Sequence, residues 1–232
     1  MSFEPRVAIV TGASRGIGRA VALGLSERSV AVALASRDRE GLVSVANEIE
    51  TRGGRSCVVP TDVADEERVA AMIAETERRL GPVDLLVNNA GVVDRRAVVE
   101  TGASDWDRVL DVNLKGAFLC TRAVLPGMID RRRGRIVNLS SISGRLGTPL
   151  LAAYCASKWG LLGFAKAAAE EVREHGIQIF SVCPGSVDTE MLRQGLPGAE
   201  PAMAPEDVAA VVLYLSTEAP DAMTGAAVDV FG

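Results

Sequence analysis

Short runs of consecutive apolar, largely β-branched residues alternate along the chain with longer segments whose apolar positions recur every three or four residues. The runs over 6–11, 30–36, 56–60, 84–88, 135–140, 177–183 and 226–230 predict seven strands. The segments over 16–28, 40–52, 66–80, 105–129, 153–175 and 205–215 predict helices, several opened by Ser, Asp or Pro. Runs such as Val30-Ala-Val-Ala-Leu-Ala35 lack polar alternation, which fits strands of a parallel sheet covered on both faces. The predicted fold class is therefore α/β, a doubly wound, seven-stranded parallel sheet flanked by helices on both faces. Such sheets bind ligands beyond the carboxyl ends of the strands, where the strand order reverses. Between about 190 and 205, Gly195, Pro197, Gly198 and Pro201 interrupt helical spacing and predict a loop able to cover a ligand.

The 232 residues, 48% hydrophobic and 24% charged with a net charge of -5, fit one domain over 1–232. That composition excludes disorder and gives no basic footprint for nucleic acid. No uncharged apolar run reaches the 18 or so residues of a membrane span, and Glu4, Pro5 and Arg6 stand where a signal peptide would turn apolar. A cytoplasmic protein with no membrane partner is expected. Cys57, Cys120, Cys155 and Cys183 form no CxxC pair, so buried reduced thiols are expected and neither a metal nor a disulfide framework. His175 is the sole histidine, which disfavours Ser/His/Asp catalysis. Arg131-Arg132-Arg133 reads as a solvated helix end.

Three stretches carry chemistry. Thr11-Gly-Ala-Ser-Arg-Gly-Ile-Gly18 lies between the first strand and the first helix. There Gly12, Gly16 and Gly18 allow a tight turn and close approach of a pyrophosphate to the backbone N–H groups of a helix N-terminus, with Ser14, Arg15 and Ile17 between them. The spacing is GxxxGxG, unlike the GxGxxG of longer dinucleotide-binding domains. Asn88-Asn-Ala-Gly91 follows the fourth strand, and Ser141 follows the fifth. Tyr154-Cys-Ala-Ser-Lys158 puts a phenol and an ammonium on one helix face, where Lys158 would lower the phenol pKa. A ketone receiving hydride develops negative charge on oxygen and needs a hydrogen bond and then a proton, which Tyr154 can supply.

Together these motifs resemble the short-chain dehydrogenase/reductase family over essentially the whole chain, with the greatest likeness to 3-oxoacyl-carrier-protein reductases and their relatives. The resemblance implies a Rossmann-type domain and hydride transfer with a nicotinamide. It selects Ser141 over Ser140, by its place thirteen residues before Tyr154, as the hydroxyl that holds the substrate oxygen. It gives Asn113 the task of kinking a helix and holding a water that links Lys158 to solvent; a helix-bending Asn without that duty is the plainer reading. It assigns Asp62 and Val63 to the adenine, although Asp62 could instead cap the next helix, and Asn89, Ala90 and Gly91 to the ribose. Pro184, Gly185, the Val187 backbone and the Thr189 hydroxyl would hold the nicotinamide carboxamide, and Tyr154 and Lys158 the neighbouring ribose.

Cofactor choice turns on the end of the second strand, where an acidic residue would favour an unphosphorylated ribose. Ser36 and Arg37 stand there, and Arg15 matches a second basic position, so NADP(H) is expected. Asp38 leaves NAD(H) as the alternative. The resemblance further implies a homotetramer through the 105–129 and 153–175 helices, and a 3-oxoacyl thioester as substrate, with acyl carrier protein as partner meeting basic surface near Arg132. His175 falls where relatives tend to carry an arginine, Phe180 where many carry Asn, and Phe231 where they carry Asp. Reduction of a small ketone, sugar or polyol is the alternative, and a catalytically silent NADP-binding regulatory protein is the alternative of another class.

Overall fold

The computed structural model describes residues 3–232. Seven strands form one sheet: β1 Val7–Thr11, β2 Ala31–Ser36, β3 Ser56–Pro60, β4 Leu85–Asn88, β5 Gly134–Leu139, β6 Ile177–Pro184 and β7 Ala227–Val230. Their spatial order is β3-β2-β1-β4-β5-β6-β7, and every pairing is parallel. The order reverses between β1 and β4, which opens a crevice at their carboxyl ends.

Strand alternation sends Ala8 and Val10 to one face and Ile9 to the other. On the first face the sheet packs Val10, Leu34, Val87 and Phe180 against Val21 and Leu25 of helix α1 Gly16–Glu27, Leu42 and Ile49 of α2 Arg39–Thr51, and Val212 and Leu215 of α8 Pro205–Thr217. On the opposite face Ile9, Leu86, Ile136 and Ile179 meet Val69 and Met72 of α3 Glu66–Leu80, Leu119 and Cys120 of α5 Gly116–Arg131, and Ala165 and Ala169 of α6 Ala152–Val172. All six residues of β5 and all eight of β6 are buried, as expected for strands sandwiched between two helical layers.

Three local features depart from the sequence expectation. The helix expected over 105–129 is divided into α4 Ala103–Leu110, a π-helical turn Asp111–Lys115 and α5. Asn113 lies in this turn, so the helix is interrupted at the residue where the resemblance expects it to kink, and wide i→i+5 turns of this kind recur at functional sites. The predicted covering loop begins as a short helix, α7 Glu190–Gly195, capped by Thr189, whose Oγ1 accepts from Leu192 N at 3.3 Å. Asp62 does not cap α3: Asp65 does, accepting from Arg68 N, while the Asp62 carboxylate accepts from Ala64 N.

The arginine run lies at the end of α5 as expected, with Arg131 and Arg132 exposed, and it also ties down neighbouring backbone. Arg131 donates to Val83 O, Arg132 to Glu174 O and Arg133 to Glu4 O, so each guanidinium holds a backbone carbonyl of another segment. Arg135 goes further: it is 1% exposed, donates to the Leu215 and Ala219 carbonyls, and lies over the Phe180 ring. The arginine thus fastens the end of α8 to the sheet, and Phe180 supplies the ring beneath it.

Candidate active site

The β1–α1 turn is shaped by contacts that exclude side chains. Gly12 and Gly16 have φ of 65° and 55°, the left-handed region open to glycine. A Cβ on Gly18 would lie 2.3 Å from Gly12 O and 2.4 Å from Asn89 Nδ2, so α1 starts against the turn at backbone distance. No side chain caps the start of α1 and no acidic residue stands in its first turn, leaving its leading N–H groups available to an anion. This turn therefore fits a pyrophosphate.

The turn is pinned to the segment after β4. Thr11 Oγ1 accepts from Asn89 N and Ala90 N, both at 3.0 Å, and Asn89 Nδ2 donates to the Thr11 and Gly12 carbonyls. The Asn89 Nδ2 group is therefore engaged in holding the glycine turn, while Asn89, Ala90 and Gly91 line the cavity. Beyond it, Asn113 Oδ1 accepts from Val92 N at 2.8 Å, and Asn113 Nδ2 donates to Val92 O and to Ser157 Oγ. Asn113 is 1% exposed, and its side chain braces the 89–92 segment against α6. The sequence reading missed Ser157, whose hydroxyl also donates to Tyr154 O at 2.7 Å. Its signal was its place one helical turn after Tyr154, on the same inward face.

At the start of α6, Tyr154 and Lys158 are both buried. Lys158 Nζ donates to Leu139 O at 2.7 Å and lies 5.6 Å from the Tyr154 ring centroid. Burial pushes the Tyr154 phenol up to about 12, opposed by a hydrogen bond with the Ser141 hydroxyl, and burial pushes Lys158 down to about 8. The expected lowering of the phenol by Lys158 is thus corrected for the free protein. The ammonium is turned to a carbonyl and to the ring face, and loss of solvent dominates at the hydroxyl. Ser140 and Ser141 diverge as strand geometry requires: Ser140 is buried and donates to Lys158 O, while Ser141 faces the crevice.

Of the site residues predicted from sequence, all except Gly18 and Asn113 line one cavity of about 970 Å³ running from the glycine turn to Tyr154. Gly18 and Asn113 stand behind its wall, in the braces just described. At the β2 end, the Ser36 hydroxyl accepts from Asp38 N, and Asp38 is committed to capping α2 through Gly41 N. Arg37 lies 3.9 Å from the Asp62 carboxylate, and Arg15 pairs with Glu190. Val63 packs on Gly116. Across the crevice, the Thr189 hydroxyl donates to Val187 O. The sequence reading also missed Met191 of α7, whose Sδ lies 3.9 Å from the Tyr154 hydroxyl.

Among the described residues no cluster of three or more His, Cys, Asp or Glu is placed to hold a metal, and no helix is long and apolar enough to cross a membrane. Cys57, Cys120 and Cys183 are buried free thiols and Cys155 is partly buried.

Residues 6–198 match the family model described as short chain dehydrogenase. The 3-oxoacyl-[acyl-carrier-protein] reductase FabG of Staphylococcus aureus is 42% identical over 185 residues, covering 79% of this chain and 75% of the relative. The FabG protein of Thermotoga maritima is 34% identical, covering 100% and 98%. Two solved structures are similar throughout. A putative gluconate dehydrogenase from Agrobacterium tumefaciens has a TM-score of 0.92 at 31% identity, covering 98% of this chain and 94% of its own. A 3-oxoacyl-[acyl-carrier protein] reductase from Brucella melitensis has a TM-score of 0.90 at 34% identity, covering 97% and 89%. With its parallel sheet, its glycine turn and its match across most of the chain, the protein belongs to the short-chain dehydrogenase family, as an oxidoreductase acting on carbonyl and hydroxyl groups.

Proposed function

We propose that the chain is an NADPH-dependent reductase of a substrate carbonyl, with a 3-oxoacyl thioester as substrate and Tyr154 as general acid. The observation that carries the reading is the convergence of Ser141, Tyr154 and Lys158 on one end of the cavity whose other end is the uncapped glycine turn. A bound nicotinamide dinucleotide supplies the hydride. Its phosphates would be held by the α1 N-terminus beside Ser14 and Ile17, its adenosine by Ser36, Arg37, Asp62 and Val63, and its nicotinamide end by residues 184–189.

The chain's own groups manage the oxygen and its proton. The Ser141 hydroxyl donates to the substrate carbonyl and orients it. Tyr154 delivers the proton as negative charge grows on that oxygen. Burial in the free protein holds the phenol at about 12, so it carries its proton through neutral pH, and delivering that proton requires the bound site to bring the phenol down toward the working pH. Lys158, cationic below about 8, would stabilise the phenolate left behind once its ammonium turns from Leu139 O toward the phenol oxygen, and Asn113 keeps the site's backbone in register with α6. We further propose association into a homotetramer through α5 and α6, whose Phe118 and Trp159 are exposed.

A second reading, a small hydroxy acid or polyol as substrate, is favoured by Arg108, which lines the cavity 3.8 Å from the Asp94 carboxylate. The likeness to the putative gluconate dehydrogenase agrees with it. The partial commitment of Arg132 to Glu174 O, with His175 beside it, also leaves less basic surface for an acidic carrier. Tyr154→Phe is expected to lower turnover of a reducible ketone by about 10²- to 10⁴-fold, the usual contribution of a positioned acid. Wild-type turnover by this variant would sink the mechanism. Acetoacetyl thioester, simple ketones and sugar acids, each with NADPH and NADH, separate the substrates; dinucleotide binding without oxidation across that panel would establish the silent binder instead.

A further inference from the structure

We propose that Glu190 is a specificity-determining residue whose carboxylate competes with a cofactor 2'-phosphate for the Arg15 guanidinium and so tempers the preference for the phosphorylated dinucleotide. This rests on the NADP(H) reading above. Arg15 leaves the glycine turn with extended backbone, and its side chain is 70% exposed. Its Nη1 is paired with Glu190, the first residue of α7. Both residues line the cavity, so the pair spans the crevice from the glycine turn to the helix on its far side.

The competition follows from stoichiometry and charge. One planar guanidinium presents a fork that matches a single carboxylate or phosphate in full. A 2'-phosphate that binds the Arg15 fork through both of its arms must displace Glu190 from Nη1. The other basic residue expected at the 2'-phosphate offers no surplus, because Arg37 lies 3.9 Å from Asp62. Asp188, next along the crevice wall, is neutralised by Arg193 at 2.7 Å and does not explain the same effect. A cofactor lacking the 2'-phosphate leaves the Arg15–Glu190 pair intact and incurs no such exchange. Because Arg15 and Glu190 are 70% and 48% exposed, the pair is weak enough for a phosphate to displace.

The test is cofactor binding, which needs no substrate: fluorescence titration of NADPH and NADH on wild type, Glu190→Gln, Glu190→Asp, Arg15→Ala, Arg37→Ala and the Arg15→Ala/Glu190→Gln double variant at fixed ionic strength. Glu190→Gln is expected to raise the ratio of NADPH to NADH affinity by about two- to five-fold, the range an exposed ion pair permits. Glu190→Asp should remain near the wild-type ratio. Arg15→Ala should lower it, and adding Glu190→Gln to that background should change nothing further. An unchanged or lower ratio in Glu190→Gln, with Arg15→Ala still lowering it, overturns the proposal and leaves the NADP(H) reading standing. So does an equal rise with and without Arg15, since Glu190 would then act on the phosphate directly. If neither Arg15→Ala nor Arg37→Ala alters the ratio, the NADP(H) reading itself falls, and the proposal with it.

Discussion

Replacing Lys158 by methionine should stabilise the free protein at neutral pH while removing a residue of the proposed site. The ammonium is 4% exposed, and burial lowers its pKa from 10.5 to about 8. Between those values the unfolded chain holds a proton that the folded chain has released, so stability rises with pH across this window. Below about 8 both states are protonated and the whole penalty of burying the charge is present. At about 1.4 kcal/mol per pH unit it amounts to about 3 kcal/mol. Methionine keeps an apolar stem and discards the charge, but it also loses the 2.7 Å bond to Leu139 O, worth about 1 kcal/mol. The net expectation at pH 7 is a gain of about 2 kcal/mol.

Urea unfolding of the cofactor-free protein and the variant, at intervals from pH 7 to 10.5, reads this directly. The advantage of Lys158→Met should shrink steadily above pH 8 and reverse to a deficit approaching about 1 kcal/mol by pH 10.5, where the folded lysine is neutral and the unfolded one is half protonated. Tyr154, whose phenol is raised to about 12, contributes alike to both proteins and cancels in the difference. A stability difference that stays constant across the range would refute the reasoning, because it would mean that the folded lysine titrates where the unfolded one does.

Gly18→Ala places a Cβ 2.3 Å from a backbone oxygen that cannot rotate away, and it should destabilise the protein by about 1–3 kcal/mol in the same unfolding assay. Gly53→Ala, where a Cβ meets nothing within 4 Å but φ is +79°, separates packing from backbone strain: it should cost about 1 kcal/mol. Ser157→Ala leaves one buried N–H of Asn113 without a partner and should cost about 1–3 kcal/mol, with faster amide exchange at Val92.

Burial on both faces writes itself as apolar runs in β1 and β2, and all seven strands lie within a residue of their expected bounds. The residues that gather at the crevice were legible for a related reason: each follows a strand, and parallel register brings the carboxyl ends of β1, β4, β5 and β6 side by side. What the sequence concealed depends on partners remote along the chain. Nothing local shows that Asn89, which lines the cavity, also fastens the glycine turn by donating to Thr11 O, 78 residues earlier. Arg131, Arg132 and Arg133 form the expected helix end, and what stayed hidden is that they also donate to the carbonyls of Val83, Glu174 and Glu4. The π-turn at Asn113 has no apolar period of its own, since it only offsets the helix around it. Helix α7 is six residues long, too short for periodicity, and Thr189 as its cap was the one local signal.

The two halves of the site are fixed to each other before any ligand arrives. From the glycine turn, hydrogen bonds run through Thr11 and Asn89 to the segment after β4. From Val92 they continue through Asn113 to Ser157, and from Ser157 to the backbone of Tyr154 itself. Every link is buried or partly buried, where hydrogen bonds are stronger than in water and an unmade one is costly. The distance from the phosphate-binding turn to the phenol is therefore set by the protein's own polar network, which is the preorganisation that a positioned acid requires. Helix α7 stands outside this network and reaches the crevice through side chains, Glu190 on Arg15 and Met191 on the Tyr154 hydroxyl. The Met191 thioether is unbranched and flexible, so rotation of that one side chain is enough to free the Tyr154 hydroxyl, and neither α7 nor the braced frame has to move.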